Sequence, residues 1–283
     1  MLSVLIPTYN YNITLLVKEL HKQCTSCDIA FEILVYDDGS KSPLNAINKT
    51  ISSLKHTTFK ALPYNLGRSA IRNLLGKDAQ YEYLLFIDAG TFPKSDDFIK
   101  NYIAIDKEKI MSGGMTYLKK SPKKPYKLRW LYTKKREFKT LCSSNFMIKK
   151  KLFIINLFDE SLKKYGYEDV LFFDILLEKK IPILFFDNPV IHSADDDAST
   201  FIEKTDQALE NLLFLIHSKK LNPRKQKIYK VYRVLKTLKL DYITYRCFTL
   251  VKPFLLKNFN SFYPSIVLFD LYRIGYFCSL KHN

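Results

Sequence analysis

The sequence predicts an α/β fold: a mostly parallel sheet flanked by helices, followed by a basic amphipathic helical tail. Three observations carry this. Short apolar runs alternate with segments of helical periodicity through the first 117 residues, the pattern of βαβ units. Turn-forming, carboxylate-bearing residues follow those runs, at Pro7–Asn10, Asp37–Ser40 and Asp88–Thr91. The C-terminal segment then changes character, with 14 Lys and Arg against 2 Asp and Glu over residues 218–283.

Each element follows in order. Leu2–Ile6 is an unbroken apolar run and reads as a buried strand. Ile13, Leu16, Val17 and Leu20 share one helical face, and Phe31–Tyr36 is a second strand. Leu44, Ile47, Ile51 and Leu54 return at helical spacing, and Phe59–Leu62 is a short extended piece. Ser69–Lys77 starts another helix, Tyr83–Ile87 is the next strand, and Met111–Tyr117 is a further extended segment. Residues 118–140, rich in Lys and Pro, read as a loop or lid. A helix is expected at 168–179 and a strand at 181–186. Beyond Leu221, the residues Ile228, Val231, Leu235, Leu238, Tyr242 and Tyr245 follow a three-four spacing, with Arg233, Lys236 and Lys239 on other faces. That is a basic amphipathic helix.

The formal net charge of the 283 residues is +17, unevenly placed. Residues 1–110 carry +1 and residues 140–217 carry −5, whereas residues 111–139 carry +9 and residues 218–283 carry +12. A nucleic-acid binder would spread its charge over the folded body, so no nucleic-acid partner is expected. Five scattered cysteines include a lone Cys24-x-x-Cys27 with no second pair at zinc spacing, which reads as free thiols in a reducing cytoplasm. Met1-Leu2-Ser3 runs straight into an apolar strand, without the basic start of a secretory signal. The most apolar stretch, Ser265–Leu280, is broken by Asp270 and Arg273 and is not a membrane span.

Open parallel sheets bind ligands beyond the carboxyl ends of their strands. The residues there are Pro7-Thr8-Tyr9-Asn10, Asp37-Asp38-Gly39-Ser40 and Asp88-Ala89-Gly90. Carboxylates in such places accept hydrogen bonds from ribose hydroxyls or a base N–H, and a tyrosine can stack on a base. Each motif alone is equally compatible with a turn or a helix cap. Together with Asn65-Leu66-Gly67-Arg68-Ser69-Ala70-Ile71-Arg72-Asn73, Leu85-Phe86-Ile87-Asp88, Asn145-Phe146, Phe158-Asp159-Glu160 and Gly166-Tyr167-Glu168-Asp169 they are specific. The sequence resembles the family 2 glycosyltransferases of GT-A fold, which are inverting and nucleotide-sugar dependent, over about residues 1–215.

The resemblance implies roles residue by residue. Pro7, Thr8 and Tyr9 line the nucleobase and ribose pocket, and Asp38 reads the base edge. Asn65, Gly67 and Arg68 lie on the segment that closes over the donor. Asp88 matches the first carboxylate of the D-x-D motif, through which a divalent cation, Mn2+ or Mg2+, holds the donor diphosphate. Asp169 matches the general base and Glu168 its neighbour. The resemblance further implies a UDP-linked sugar as donor, a glycan or lipid-linked acceptor, and cell-surface polysaccharide as product.

One departure stands out. The D-x-D motif ends in Gly90 rather than Asp, so a cation would lose a ligand there. His192 sits where many family members place a metal-binding histidine. Structural and metal-binding readings of His192 both stand, and Asp195, Asp196 and Asp197 read either as a charged surface loop or as a source of a compensating ligand. Ser144 and Asn145 are further candidates for the acceptor pocket. Trp130 either stacks on a sugar or anchors its loop, and the basic loop either serves anionic substrates or is simply solvated. Gly90 also motivates an alternative, a non-catalytic nucleotide-sugar-binding or scaffold subunit.

The expected organisation is a domain over 1–217, with a nucleotide-sugar-binding half at 1–117 and an acceptor half at 118–217. The basic aromatic tail, 218–283, is expected to seat the protein on an anionic membrane surface, peripheral on the cytoplasmic face.

Overall fold

Because neighbouring residues on a strand point to opposite faces, a strand apolar at every position needs cover on both sides. Leu2–Thr8 (β1), Phe31–Asp37 (β2) and Tyr83–Ile87 (β4) come close to this, being buried at nearly every position. Val4, Ile6, Ile33, Val35, Leu85 and Ile87 enter one core cluster, and the alternate residues Leu5, Leu34, Tyr36, Leu84 and Phe86 enter another. The first cluster is covered by α1 (Thr14–Ser26), whose Leu16, Val17 and Leu20 are buried. Between β2 and β4 come α2 (Leu44–Lys49), β3 (Thr57–Ala61) and α3 (Arg68–Asp78). Ile71 and Leu75 of α3 cover the second cluster.

The computed structural model describes residues 1–105, 109–137 and 140–282. After β4 the chain continues through β5 (Thr91–Pro93), α4 (Phe98–Ala104), β6 (Ile110–Ser112), β7 (Met115–Tyr117) and α5 (Lys127–Tyr132). Then follow β8 (Asn145–Lys149), α6 (Lys150–Ile154), α7 (Glu168–Glu178), β9 (Ile183–Phe185) and β10 (Val190–His192). Four helices end it: α8 (Ala198–His217), α9 (Lys227–Thr237), α10 (Asp241–Phe259) and α11 (Ile266–Ser279).

The main sheet has the order β3-β2-β1-β4-β8-β6-β9. Its first four strands are parallel, β8 is antiparallel to β4 and β6, and β9 is parallel to β6. Strand order reverses at β1/β4, since β2 and β3 lie to one side of β1 and β4 to the other. This is the switch point, beyond whose carboxyl ends such sheets form their ligand crevice. A smaller sheet pairs β10 antiparallel with β5 and parallel with β7, placing His192 opposite Thr91.

Two compact units share the chain. The first holds Met1–Tyr117, Arg136–Lys163 and Glu168–Ser193, and therefore both sheets; the second holds Leu118–Lys135, Lys164–Tyr167 and Ala194–Asn283. They group the chain differently from a linear cut at residue 217, because α8 and the Lys-rich segment pack with the tail helices. Phe201 and Ile202 of α8, Leu128 of α5, and Phe248, Phe259, Phe269 and Tyr272 share one apolar cluster.

Three local expectations change. Met111–Tyr117 is two strands in two sheets, divided at Gly113-Gly114, where Gly114 takes φ +75°. The Lys-rich segment is not wholly a loop. It contains α5, with Leu128, Arg129 and Trp130 buried. Trp130 anchors it, donating from Nε1 to the Leu118 carbonyl at 2.8 Å. The basic amphipathic helix is broken after Thr237, with Lys239 at φ +58°, so α9 and α10 are separate. Among the described residues, no helix is long and apolar enough to cross a membrane.

Candidate active site

The turn after β2 is built from its own polar side chains. Asp37 accepts from the Ser40 N–H (3.0 Å), the Ser40 hydroxyl (2.6 Å) and Asn45 Nδ2 (3.1 Å), which fixes the entry into α2. Asp38 faces the other way. Its oxygens accept from the Leu66 and Gly67 N–H groups at 2.7 and 3.1 Å. Gly39 takes φ +70°, and a Cβ there would lie 2.4 Å from the Tyr64 carbonyl carbon. Both reasons require glycine. Asp38, expected to read the base edge, here latches Leu66 and Gly67 against the β2 turn. Burial raises its pKa, and the two amides partly offset this.

Gly67, at φ +92°, turns the chain into α3, whose first residue is Arg68. Residues four apart share a helix face, so Arg68 and Arg72 approach the carboxyl end of β4 together. Arg72, fully buried, donates to Asp88 Oδ1 at 2.6 Å. Arg68 lies 3.5 Å from Asp88 Oδ2 and donates from Nε to Glu168 Oε1 at 2.5 Å. The Ser144 hydroxyl donates to Asp88 Oδ2 at 2.9 Å. Burial alone would raise the Asp88 pKa, but Arg72, Arg68 and Ser144 together bring it down to about 2.

Glu168 and Asp169 open α7, where carboxylates are favoured by the helix dipole. Burial opposes ionisation of Glu168, but Arg68 and Arg72 outweigh it and its pKa falls. Burial and the adjacent Glu168 charge raise Asp169 to about 6. The neighbours are therefore pushed apart, Glu168 toward its anion and Asp169 toward its protonated form. Titratable pairs pushed apart in this way mark acid–base sites.

The structure thus gathers Arg68, Asp88, Glu168 and Asp169 at one end of the sheet. Thr8, at the end of β1, is buried, and its hydroxyl has no partner among the described residues. Tyr9 is half exposed, Pro7 is partly buried, and Asn65 lies exposed on the latched segment. Asn145 does not line a pocket. It is fully buried, taking a bond from the Tyr102 hydroxyl (2.6 Å) and donating to the Gly114 and Asn188 carbonyls. Arg72 and Asn73 belong to the Asn65–Asn73 motif, and the structure gives both a part in the site. Asn73 bonds both the N–H and the carbonyl of Phe158 and also Glu160 Oε1, holding that motif in place. The i, i+4 spacing of two arginines ahead of a strand ending in Asp was the available signal.

The divalent cation meets a poor donor set. Such ions take six or more oxygens, yet Asp88 is already shared by two guanidiniums, and position 90 carries no side chain. His192 is partly buried in β10, and Asp197 caps α8 by accepting from the Thr200 N–H at 2.7 Å. Asp196 pairs with Lys204 at 2.6 Å. Among the described residues, no group of three or more His, Cys, Asp or Glu side chains is placed to hold a metal. Asp88 and His192 belong to no such group among the described residues, and the Asp88 carboxylate is engaged by Arg72, Arg68 and Ser144.

A mostly parallel sheet of this order, flanked by helices, is a GT-A-like fold, with acids and arginines gathered at its switch point. Solved structures agree on the fold. Residues covering 76% of this chain match 64% of the mannosyltransferase PcManGT from Pyrobaculum calidifontis, crystallised with GDP-Man and Mn2+, at a TM-score of 0.54 and 15% identity. The whole chain matches 92% of the Staphylococcus aureus TarS 1–349 fragment at 0.51 and 21% identity. In sequence, 122 residues, or 41% of the chain, are 30% identical to the chondroitin synthase of Escherichia coli. The chain spans 18% of that enzyme's length and 39% of the longer TarS structure. The model of glycosyl transferase family 2 matches residues 3–162, and the chain belongs to that family.

Proposed function

We propose that this protein transfers a sugar from a nucleotide-sugar donor, UDP-linked by preference, to a hydroxyl of a glycan or lipid-linked acceptor in cell-surface polysaccharide synthesis. The observation that carries this reading is the split pair at the start of α7. A sugar hydroxyl is a poor nucleophile until a base takes its proton, and Asp169, raised to about 6, is such a base at neutral pH. Glu168, fixed by Arg68, orients it and stays charged. In the reaction, the acceptor hydroxyl gives its proton to Asp169 and its oxygen bonds the anomeric carbon. The carbon–phosphate oxygen bond breaks from the opposite face, the nucleoside diphosphate leaves with the electron pair, and configuration inverts. Thr8 and Tyr9 line the donor side at the end of β1, and Asp38 holds Leu66 and Gly67 against the neighbouring β2 turn. Complexes of fold relatives with UDP-GlcNAc and with GDP-Man lend support to a nucleotide-sugar donor.

The second unit suits a peripheral seat on the anionic cytoplasmic face of a membrane. Val231, Val234, Leu238, Ile243, Leu250 and Phe254 are 50% exposed or more, between surface Lys and Arg residues. Apolar side chains flanked by cations bind anionic lipid by burial and charge together.

Purified protein is incubated with a panel of nucleotide sugars, and release of nucleoside diphosphate is followed. Turnover in the wild type and its loss in Asp169→Asn support the transferase. Donor binding without turnover in either protein would favour the scaffold reading motivated by Gly90.

A further inference from the structure

The site holds two guanidiniums where the resemblance implies a cation, and these arginines differ in kind. Arg72 is a fixed part: its side chain is 2% exposed, it bonds the Arg68 carbonyl at 3.0 Å, and it stacks 5.8 Å from the Phe158 ring. Arg68 is the part that reaches solvent. Its side chain is 40% exposed, and its head is shared between a carboxylate at 2.5 Å and another at 3.5 Å. Arg68 also begins an 11-residue helix at the carboxyl end of the sheet, where the helix dipole favours an anion. Beside it the buried Ser69 hydroxyl has no partner among the described residues, and neither has the buried Thr8 hydroxyl on the adjacent strand end. Two buried hydroxyls without a partner among the described residues and a solvent-reaching guanidinium at a switch point are the chemistry that an anion requires.

We propose that Arg68 supplies the counter-charge for the donor diphosphate, doing here what a divalent cation bound through D-x-D would do. Arg72 and Ser144 hold Asp88 out of competition. Arg68 and Arg72 already offset Asp88 and Glu168, and a divalent cation would have to displace a guanidinium to reach the Asp88 carboxylate. A diphosphate instead offers Arg68 a bidentate partner matched to its planar fork. On binding, Arg68 exchanges Glu168 for phosphate, which frees Glu168 beside the base Asp169 as the donor arrives. Arrival of the leaving group and readiness of the acceptor side are thereby joined through one side chain.

This rests on the transferase reading, and one experiment separates the two. Binding of UDP, GDP, ADP and CDP is measured by titration calorimetry, in excess chelator and again in Mn2+, for wild type, Arg68→Gln and Arg68→Lys. Uridine, or the matching nucleoside, serves as the phosphate-free control. The expected result is a wild-type affinity for the preferred diphosphate that changes less than about threefold on chelation. Loss of one charge-assisted contact should weaken binding about tenfold or more in Arg68→Gln. Arg68→Lys should recover part of that loss, and nucleoside affinity should be the same in all three proteins. A diphosphate that binds only with Mn2+, or binds Arg68→Gln as tightly as wild type, overturns the proposal while leaving the transferase standing. Failure of all four diphosphates under both conditions overturns both.

Discussion

Asp169 can act as a base only when ionised, and its environment sets when that is. With a pKa raised to about 6 by burial and by Glu168, transfer should fall as pH drops through about 6 and level off above it. Glu168→Gln removes the neighbouring negative charge, so that limb of the pH–rate profile should move to lower pH; an unmoved limb would detach Glu168 from the base. Arg72→Ala leaves Asp88 partly buried without its nearest cation. Breaking one side of a buried pair costs about 3–5 kcal/mol, and the wild type and variant should differ by that order in urea unfolding. At this scale the sequence was legible in part. That Asp88, Glu168 and Asp169 would lie together could be read from the motifs that carry them. What Asp38 does was not, since Asp37 and Asp38 are chemically alike and only the path of residues 64–67 decides which one meets Leu66 and Gly67. The pairing of Arg68 with Glu168 joins positions 100 residues apart, and no local pattern encodes such a meeting.

Among the elements, α8 owes its start to Asp197, which accepts from the Thr200 N–H and the Ser199 hydroxyl. Asp197→Ala should cost about 1 kcal/mol of stability, the usual value of an N-cap, measurable as a shift in the unfolding midpoint. Between α10 and α11, a Cβ on Gly275 would meet Phe248 at 2.5 Å, close to its own Cβ as well as its ring. Gly275→Ala therefore overpacks the helix pair and should destabilise by about 1–3 kcal/mol. Strands and their covering helices were readable because β1, β2 and β4 are apolar at nearly every position and α1 repeats at three-four spacing. The break between α9 and α10 was not. It depends on Lys239 adopting φ +58° without a glycine or proline to announce it. The Lys-rich segment misled for a related reason: its charge hides Leu128 and Trp130, the residues that bury α5.

For the whole molecule, charge and acidity act on the second unit in a way that can be measured. Burial raises Asp206 to about 6, although the Tyr272 hydroxyl donates to it at 3.0 Å. The folded state then holds this proton more tightly than the unfolded chain, so stability from this group declines as pH rises from about 4 to about 6. Asp206→Asn should flatten that slope in thermal unfolding. Vesicles containing anionic lipid should sediment the protein at low salt and release it as salt rises, and removal of residues 218–283 should abolish this. The order of the main sheet also bears on synthesis. β4 gains its outer neighbour only when β8 arrives, and Ile87 pairs with Asn145. At ~5–20 residues per second, a ribosome leaves that strand edge open for roughly 3–12 s. During that time Leu84 and Phe86 lack Phe146 and Ile148, and the nascent chain presents an unpaired apolar edge of the kind that recruits other chains. The first-formed half of the sheet is thus the part most in need of chaperone cover while it waits for β8.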